Sequence, residues 1–442
     1  MDMKIRFKGI LQEDFEYAFQ VLEECKKKSA QKYGFAYPYF TPGGYYEEQW
    51  WQLDSVLALS GYKWYDQNFC ETSLLNFIES QCDNGRIRLW GRDILPNAPH
   101  LSIQKENVSS LPKIFDVAYN IIKRSSNTEL KKAVYQMFQR YLQWWFEDRQ
   151  DKGTKLITSV FEETFIPYLG RSGEYAGVDT NVEVVVGCHY TACLAEELGE
   201  ADKKEYYFGK KQEIYDAINE YMWDEKRGAY FAYNIKNGCK EKCLMISSLN
   251  PLRLNIAPPN RREKLLKLLC DNTHFNWDGY TLTTVSKQDP CFMVTEGRYQ
   301  GNASWSGNVW TLTNEMIVRG LLDCGEKKLA GELALKTIRA FNHNCAEFVN
   351  PFNGTGHGVE RYAWSASQYL EMIIEVILGL EYSEHNNTLI ISPNIPKELE
   401  GEIISLKNIP LPSGGTIDVI IDKGNVRYSL NETSLLVLYE ET

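Results

Sequence analysis

No stretch of about eighteen apolar residues runs through this chain, so no segment reads as a membrane-crossing helix. The N-terminus, MDMKIRFKGILQEDFEYAF, lacks an uninterrupted apolar core followed by a small-residue cleavage site, and the expectation is a soluble, cytoplasmic protein with no membrane partner. An excess of basic residues is missing too: 48 Lys and Arg stand against 59 Asp and Glu, a formal charge of -11, and no basic block interrupts that balance. Nucleic acid is excluded as a partner on those grounds. Histidine is scarce, at 6 residues. His189 reads as a core or surface residue of a helix, and only His357, in a glycine-rich loop, is placed near a ligand. The 11 cysteines form an odd set without a repeating framework, which suits reduced thiols, mostly small core residues, better than a disulfide scaffold. Cys239 and Cys243 bracket the run CKEKC, but no second pair or nearby histidine completes a zinc set. That segment reads as a surface loop, and no metal or organic cofactor is expected.

Aromatic residues are plentiful instead, at 13% with 11 Trp and 27 Tyr. Rings with a polar handle suit the apolar faces and hydroxyl rims of sugars, although they also build ordinary cores. The length of 442 residues allows one large domain plus a small one. Apolar residues at three- and four-residue spacing predict helices over 14–30, 47–64, 69–81, 111–124, 128–148, 181–198, 204–223, 261–270, 309–322, 327–342 and 365–380. Gly61, Gly199 and Gly325 are the expected stops. The run VEVVV at Val182–Val186 could instead be a strand by β-propensity. No fixed period marks a solenoid, so a closed toroid of paired helices is preferred, with the pocket made by loops at one end. After Leu380 the pattern turns to short alternating runs at Leu389, Glu402, Thr416, Val426 and Ser434, which predict a small antiparallel β region. The expected division is 1–382 for the mainly α domain and 383–442 for the β region.

The stretch EFVNPFNGTGHGVERYAWSA, Glu347 to Ala366, sets one carboxylate in a loop shaped by Pro351, Gly354, Gly356 and Gly358. Phe348, Phe352, Tyr362 and Trp364 supply flat apolar faces beside it, which is how the floor of a sugar pocket is built. Hydrolysing a glycosidic bond takes an acid for the leaving oxygen and a base for water, normally two carboxyl groups. Loop carboxylates with aromatic neighbours are Asp54, Glu162, Glu163, Asp179, Glu296 and Glu347. Each has a plainer reading: Asp179 as a helix N-cap, Asp54 as a paired structural acid, Glu347 as part of a surface turn. Trp50, Trp51, Trp305, Trp310 and Trp364 taken singly could all be core.

The order of these segments resembles the (α/α)6 glycosidases of the trehalase and processing α-glucosidase clan, including the bacterial glucosylglycerate and mannosylglycerate hydrolases. The resemblance runs from about Gln49 to Leu380 over QWWQLDS at Gln49, VDTNVEVVVGCHYTACLAEELG at Val178, WSGNVW at Trp305, and EFVNPFNGTGHG at Glu347 with WSA at Trp364. It implies an (α/α)6 toroid, an inverting exo-acting hydrolase of a terminal, α-linked, glucose-like unit, and a helix at VEVVV. It further implies Glu347 as general base. Asp54 would hold sugar hydroxyls, with Trp51, Asp179, Trp305, Trp310, His357 and Trp364 around the sugar. Two departures stand out. Ser306 occupies a position where the family often has arginine, and the family's Glu-Ser-Gly-x-Asp run is replaced by Phe161-Glu162-Glu163-Thr164-Phe165. The general acid is then Glu163 or Glu162, ahead of Asp179, with Phe161, Phe165 and Tyr168 raising its pKa by desolvation. Arg171, Arg298 and Arg361 are candidates for an anionic aglycone. The alternatives are another sugar enzyme on the same toroid, an epimerase or an unsaturated-glucuronyl hydrolase, or an inactive sugar-binding protein.

Overall fold

Apolar residues on one stripe make several of the helices amphipathic, others are buried on nearly every side, and in the computed structural model they pack as an inner and an outer set. The structure describes residues 2–29, 35–91, 107–165, 173–433 and 435–439, with the backbone of 94–95 and 98–102. Its main helices are α1 (Gln12–Cys25), α2 (Gln52–Tyr62), α3 (Gln67–Glu79), α4 (Ile114–Ile122), α5 (Thr128–Trp144), α6 (Val178–Glu197), α7 (Ala201–Ala217), α8 (Pro259–Cys270), α9 (Thr311–Asp323), α10 (Lys327–Phe341) and α11 (Ala363–Glu371), with one further turn at Asn272–Phe275. A kinked 3₁₀ segment, Ile246–Asn255, lies between α7 and α8. Contacts run from α2 to α4, α4 to α6, α6 to the 3₁₀ segment, that segment to α9, α9 to α11, and α11 back to α2. The other helices pack outside: α1 on α11, α3 on α4, α5 and α7 on α6, α8 on the 3₁₀ segment, α10 on α9.

The 3₁₀ segment is the element that periodicity misses. Its sequence ISSLNPLRLN carries Pro251 and shows no helical spacing of apolar residues, and Leu254 sits at a positive φ of 50°; packing against α6 and α9 gives it a helix's place all the same. The VEVVV run lies inside α6, where residues 178–188 are buried all round, and β-branched side chains are tolerated in a helix that packs on every face. α2 starts at Gln52, five residues after the expected start at Glu47, because Gly44–Tyr46 forms its own 3₁₀ turn. Gly61 does not stop that helix. A Cβ on it would collide with the backbone carbonyl of Ser367 on α11, so the glycine permits close approach of two helices.

Apolar side chains fill the space between the layers, while the inside of the ring holds charges. Lys113 contacts Asp116 (3.1 Å), Glu315 (3.3 Å) and Glu183 (3.7 Å), and Arg319 contacts Glu315 (3.2 Å), Glu375 (2.6 Å) and Glu371. Such buried charges persist because each is paired.

The C-terminal strands follow the alternation read from sequence, with two additions. β1 (Lys4–Arg6), from the other end of the chain, pairs antiparallel with β2 (Ile403–Pro410), which continues to β3 (Thr416–Asp422) and β4 (Asn425–Asn431). A second sheet joins Leu380–Ser383 antiparallel to Thr388–Ile391, and that strand runs parallel to Leu436–Tyr439. The β region is therefore not wholly antiparallel.

Candidate active site

At the end of the ring where α2 and α11 begin, a cavity is lined by Tyr46, Trp51, Leu53, Asp54, Leu89, Ser110, Glu162, Tyr299, Trp305, Trp310, Glu347, Tyr362 and Trp364. Three of the carboxylates picked out from sequence, Asp54, Glu162 and Glu347, meet there. A larger cavity of about 460 Å³ lies at the opposite end, by Lys63 at the end of α2, and its lining includes the ion pairs Lys63–Glu375, Arg253–Asp116 and Arg319–Glu375.

Glu347 precedes the short strand Phe348–Val349, which pairs with Gly356–His357 to close the loop. Its carboxylate is buried, 1% exposed, and accepts hydrogen bonds from the Val359 amide (3.0 Å) and from the hydroxyls of Tyr45 and Tyr46 (3.3 Å each). Burial pushes its pKa up to about 8, Asp54 adds to the rise, and the hydrogen bonds pull it partly back. Gly358 sits at φ 74°, and any Cβ there would strike Glu347 Oε2, so this glycine is required on both counts. Asp54 lies in the first turn of α2, and its Oδ1 accepts from the Tyr362 hydroxyl. Desolvation raises its pKa to about 7 against the opposing effect of that bond.

The Phe161-Glu162-Glu163 turn splits its two acids. Glu162 lines the cavity, half-buried, close enough to raise the pKa of Asp54. Glu163 points away from it and is fully buried. Its carboxylate accepts from Arg149 (2.7 and 2.9 Å) and from the amides of Ser109 and Val160 (2.9 Å each). Phe161 holds a positive φ of 50°, a costly backbone state for a bulky residue that persists only where the surroundings impose it. Asp179 is also absent from the lining. It sits one residue inside α6, after the cap Gly177, and accepts from Thr164 Oγ1 (2.8 Å) and the amides of Phe165 (2.7 Å) and Thr180 (2.9 Å). Burial raises its pKa. Through Phe165, whose ring stacks on Trp305 at 4.7 Å, Asp179 supports one wall of the cavity.

Trp305 and Trp310 stack at 3.7 Å, nearly parallel, and the Trp305 Nε1 donates to Tyr299 (3.2 Å). Trp364 turns its ring across both, and its Nε1 has no hydrogen-bond partner among the described residues. Trp51, half-buried, completes the wall with its Nε1 on Gln49 (3.1 Å). His357 stands behind this surface, outside the lining, with Nδ1 accepting from the Gly297 amide (3.2 Å). Glu296 is exposed and accepts from Asn350 (3.3 Å). Tyr168 and Arg171 lie outside the described residues. Arg361 is tied to Glu24 (2.6 Å), whereas the Arg298 guanidinium lies 5.7 Å from the ring centre of Tyr45.

Tyr45, Tyr46 and Tyr299 escaped the sequence reading. The first two follow Gly43-Gly44 in PGGYY, a turn signal that could have flagged them. Tyr299 had no such signal. Among the described residues the cavity's carboxylates do not form a group of three that could hold a metal ion.

Residues 166–365 match the family described as the mannosylglycerate hydrolase MGH1-like glycoside hydrolase domain. The mannosylglycerate hydrolase of Rubrobacter radiotolerans is 25% identical over 183 residues, 41% of this chain and 40% of that enzyme. The chain thus aligns to well under half the length of that relative. Among solved structures, the GH63 mannosylglycerate hydrolase of Thermus thermophilus in complex with glucose superposes with a TM-score of 0.67 at 18% identity, covering 81% of this chain and 99% of that one. A GH78 family rhamnosidase from a Bacillus species reaches 0.72 at 16% identity over 99% of this chain and 43% of its own. The resemblance to this group of glycosidases is borne out, and the fold is a mainly helical one of the same kind.

Proposed function

We propose that this chain is an inverting, exo-acting glycoside hydrolase on an (α/α)6 toroid spanning 1–382, with a small β region over 383–442. The contact order described above, alternating an inner and an outer element and returning from α11 to α2, supports the toroid. The observation that carries the activity is that Glu347, Asp54 and Glu162 meet in one cavity walled by Trp51, Trp305, Trp310 and Trp364.

In this reading Glu347 removes a proton from the attacking water. Tyr45 and Tyr46 hold its carboxylate and lower the cost of its charge in a dry site. Glu162 protonates the leaving oxygen from the other side; Glu163 and Asp179 hold the loop and wall in place. Asp54, oriented by Tyr362, accepts from hydroxyls of the terminal sugar. The aromatic wall of Trp51, Trp305, Trp310 and Trp364 packs against its apolar side. The substrate is an α-linked hexose carrying a small polar aglycone, and Arg298, whose guanidinium lies near the ring of the Tyr45 that bonds Glu347, is the cation assigned to an aglycone carboxylate. Two carboxyl groups suffice for this chemistry.

The test is hydrolysis of a panel of α- and β-linked glucosides, mannosides, rhamnosides and glycosylglycerates with the first-formed anomer read by NMR. Inverted product from an α-linked terminal hexose is expected. Retained configuration, or sugar binding without turnover on any of them, would sink the proposal.

A further inference from the structure

Away from the sugar cavity, two loops distant in sequence bring soft and hard metal-binding atoms together. The Sγ atoms of Cys243 and Cys291 and a carboxylate oxygen of Asp289 all lie within 4.8 Å of one another. Among the described residues this is the one cluster of its kind. Cys243 is buried, 7% exposed, among Ala232, Met245 and Val285, while Asp289 and Cys291 are half-buried and leave a way in from solvent. The carboxylate is already aimed: Oδ2 accepts from the Leu244 amide and Oδ1 from the Cys291 amide, both at 2.9 Å. Metal-binding carboxylates are commonly oriented by such outer hydrogen bonds.

We propose that Cys243, Asp289 and Cys291 form a binding site for a soft divalent cation of the zinc class, with water as fourth ligand. Two thiolates favour such an ion over calcium or magnesium, which take oxygen ligands. Tetrahedral Zn–S bonds of about 2.3 Å put the two sulfurs roughly 3.8 Å apart, and a Zn–O bond of about 2.1 Å puts sulfur and oxygen roughly 3.6 Å apart, so the cluster needs to draw in by about 1.2 Å at most. Binding releases the thiol protons to solvent.

The site would act as a clamp. Cys243 belongs to the loop after the strand Cys239–Lys240. Cys291 belongs to the segment that continues through the Met293 amide, bonded to the Ser306 carbonyl (3.1 Å), to the turn carrying Trp305. An ion between them ties the outer loop to the wall of the sugar cavity without touching the cavity itself.

The experiment uses the reduced full chain stripped of metal and titrated with Co²⁺, followed by displacement with Zn²⁺. One equivalent of Co²⁺ should bind with a thiolate charge-transfer band, and Zn²⁺ should abolish the band. Cys291→Ser and Cys243→Ser should each lose it, and Cys239→Ser, at an exposed thiol outside the cluster, should keep it. Cys291 is half-buried, so its variant carries the test if Cys243→Ser folds poorly. Hydrogen exchange over 239–245 and 289–306 should slow when Zn²⁺ is added to the wild type; unchanged exchange would overturn the clamp. No stoichiometric band in the reduced protein, or a band kept by both serine variants, would overturn the site. So would a Cys243–Cys291 disulfide that takes up no metal once reduced.

Discussion

Glu163 and Arg149 are locked in a two-pronged ion pair, Oε2 to Nε at 2.7 Å and Oε1 to Nη2 at 2.9 Å, with the glutamate fully buried. The adjacent Glu162 faces the cavity. One residue of spacing therefore separates a carboxylate that holds the loop from one that can reach a substrate. Glu162→Gln should cut turnover of an ordinary glycoside by about 10²–10⁴-fold, the usual worth of a general acid, with little change in thermal stability. A glycosyl fluoride, whose leaving group needs no proton, should be spared. Equal losses on both substrates would remove Glu162 from the acid role.

Glu163→Gln should behave in the opposite way. It leaves the Arg149 guanidinium against a neutral amide in a buried site, and the expected cost is about 3 kcal/mol of stability. Chemical denaturation measures it, and a variant as stable as wild type but inactive would reassign the acid to Glu163.

The pH profile follows from the raised carboxyl groups. Glu347 must be ionised to act as base, and with its pKa near 8 and that of Asp54 near 7, kcat/KM should fall as pH drops through that range. The two sites interact, so the apparent values belong to the pair. A profile level from about pH 5 to about pH 8 contradicts this assignment.

Tyr46→Phe removes a donor from the ionised form of Glu347. The acid limb should move up by about half to one pH unit, worth about 1 kcal/mol for a bond to a charged acceptor. A shift in the other direction, or none with activity intact, would argue that the tyrosine serves only packing.

Glu347→Gln should abolish turnover and keep sugar affinity. It also has a stability signature. A carboxyl whose folded pKa is raised adds most stability below its unfolded pKa and loses it as pH rises through the folded value. Wild type should therefore lose ground to the glutamine variant between about pH 4.5 and about pH 8, by an order of a few kcal/mol, and the gap should level off above that. Parallel stability curves for the two proteins would show that the carboxyl is not held in the buried state described.

Much of this was written in the chain itself. Helix periodicity located nearly every helix, and the alternation after Leu380 located most of the C-terminal strands, because burial of one face leaves a regular imprint on sequence. The Glu347 loop was legible for a related reason: its glycines and proline specify the backbone, and at Gly358 the space beside Glu347 Oε2 admits no side chain. Long-range packing decided the rest. Val182–Val186 became helix and Ile246–Asn255 took a place in the ring because neighbours on several sides outweigh local propensity. Glu162 and Glu163 are chemically alike and adjacent, and only the position of Arg149 and of the Ser109 and Val160 amides determines which one is held away from the cavity. The Cys239 and Cys243 pair looked incomplete because its nearby sequence offers no further ligand. The fold passes over Cys239 and sets Cys243 beside Asp289 and Cys291, a juxtaposition of distant loops that no local spacing encodes.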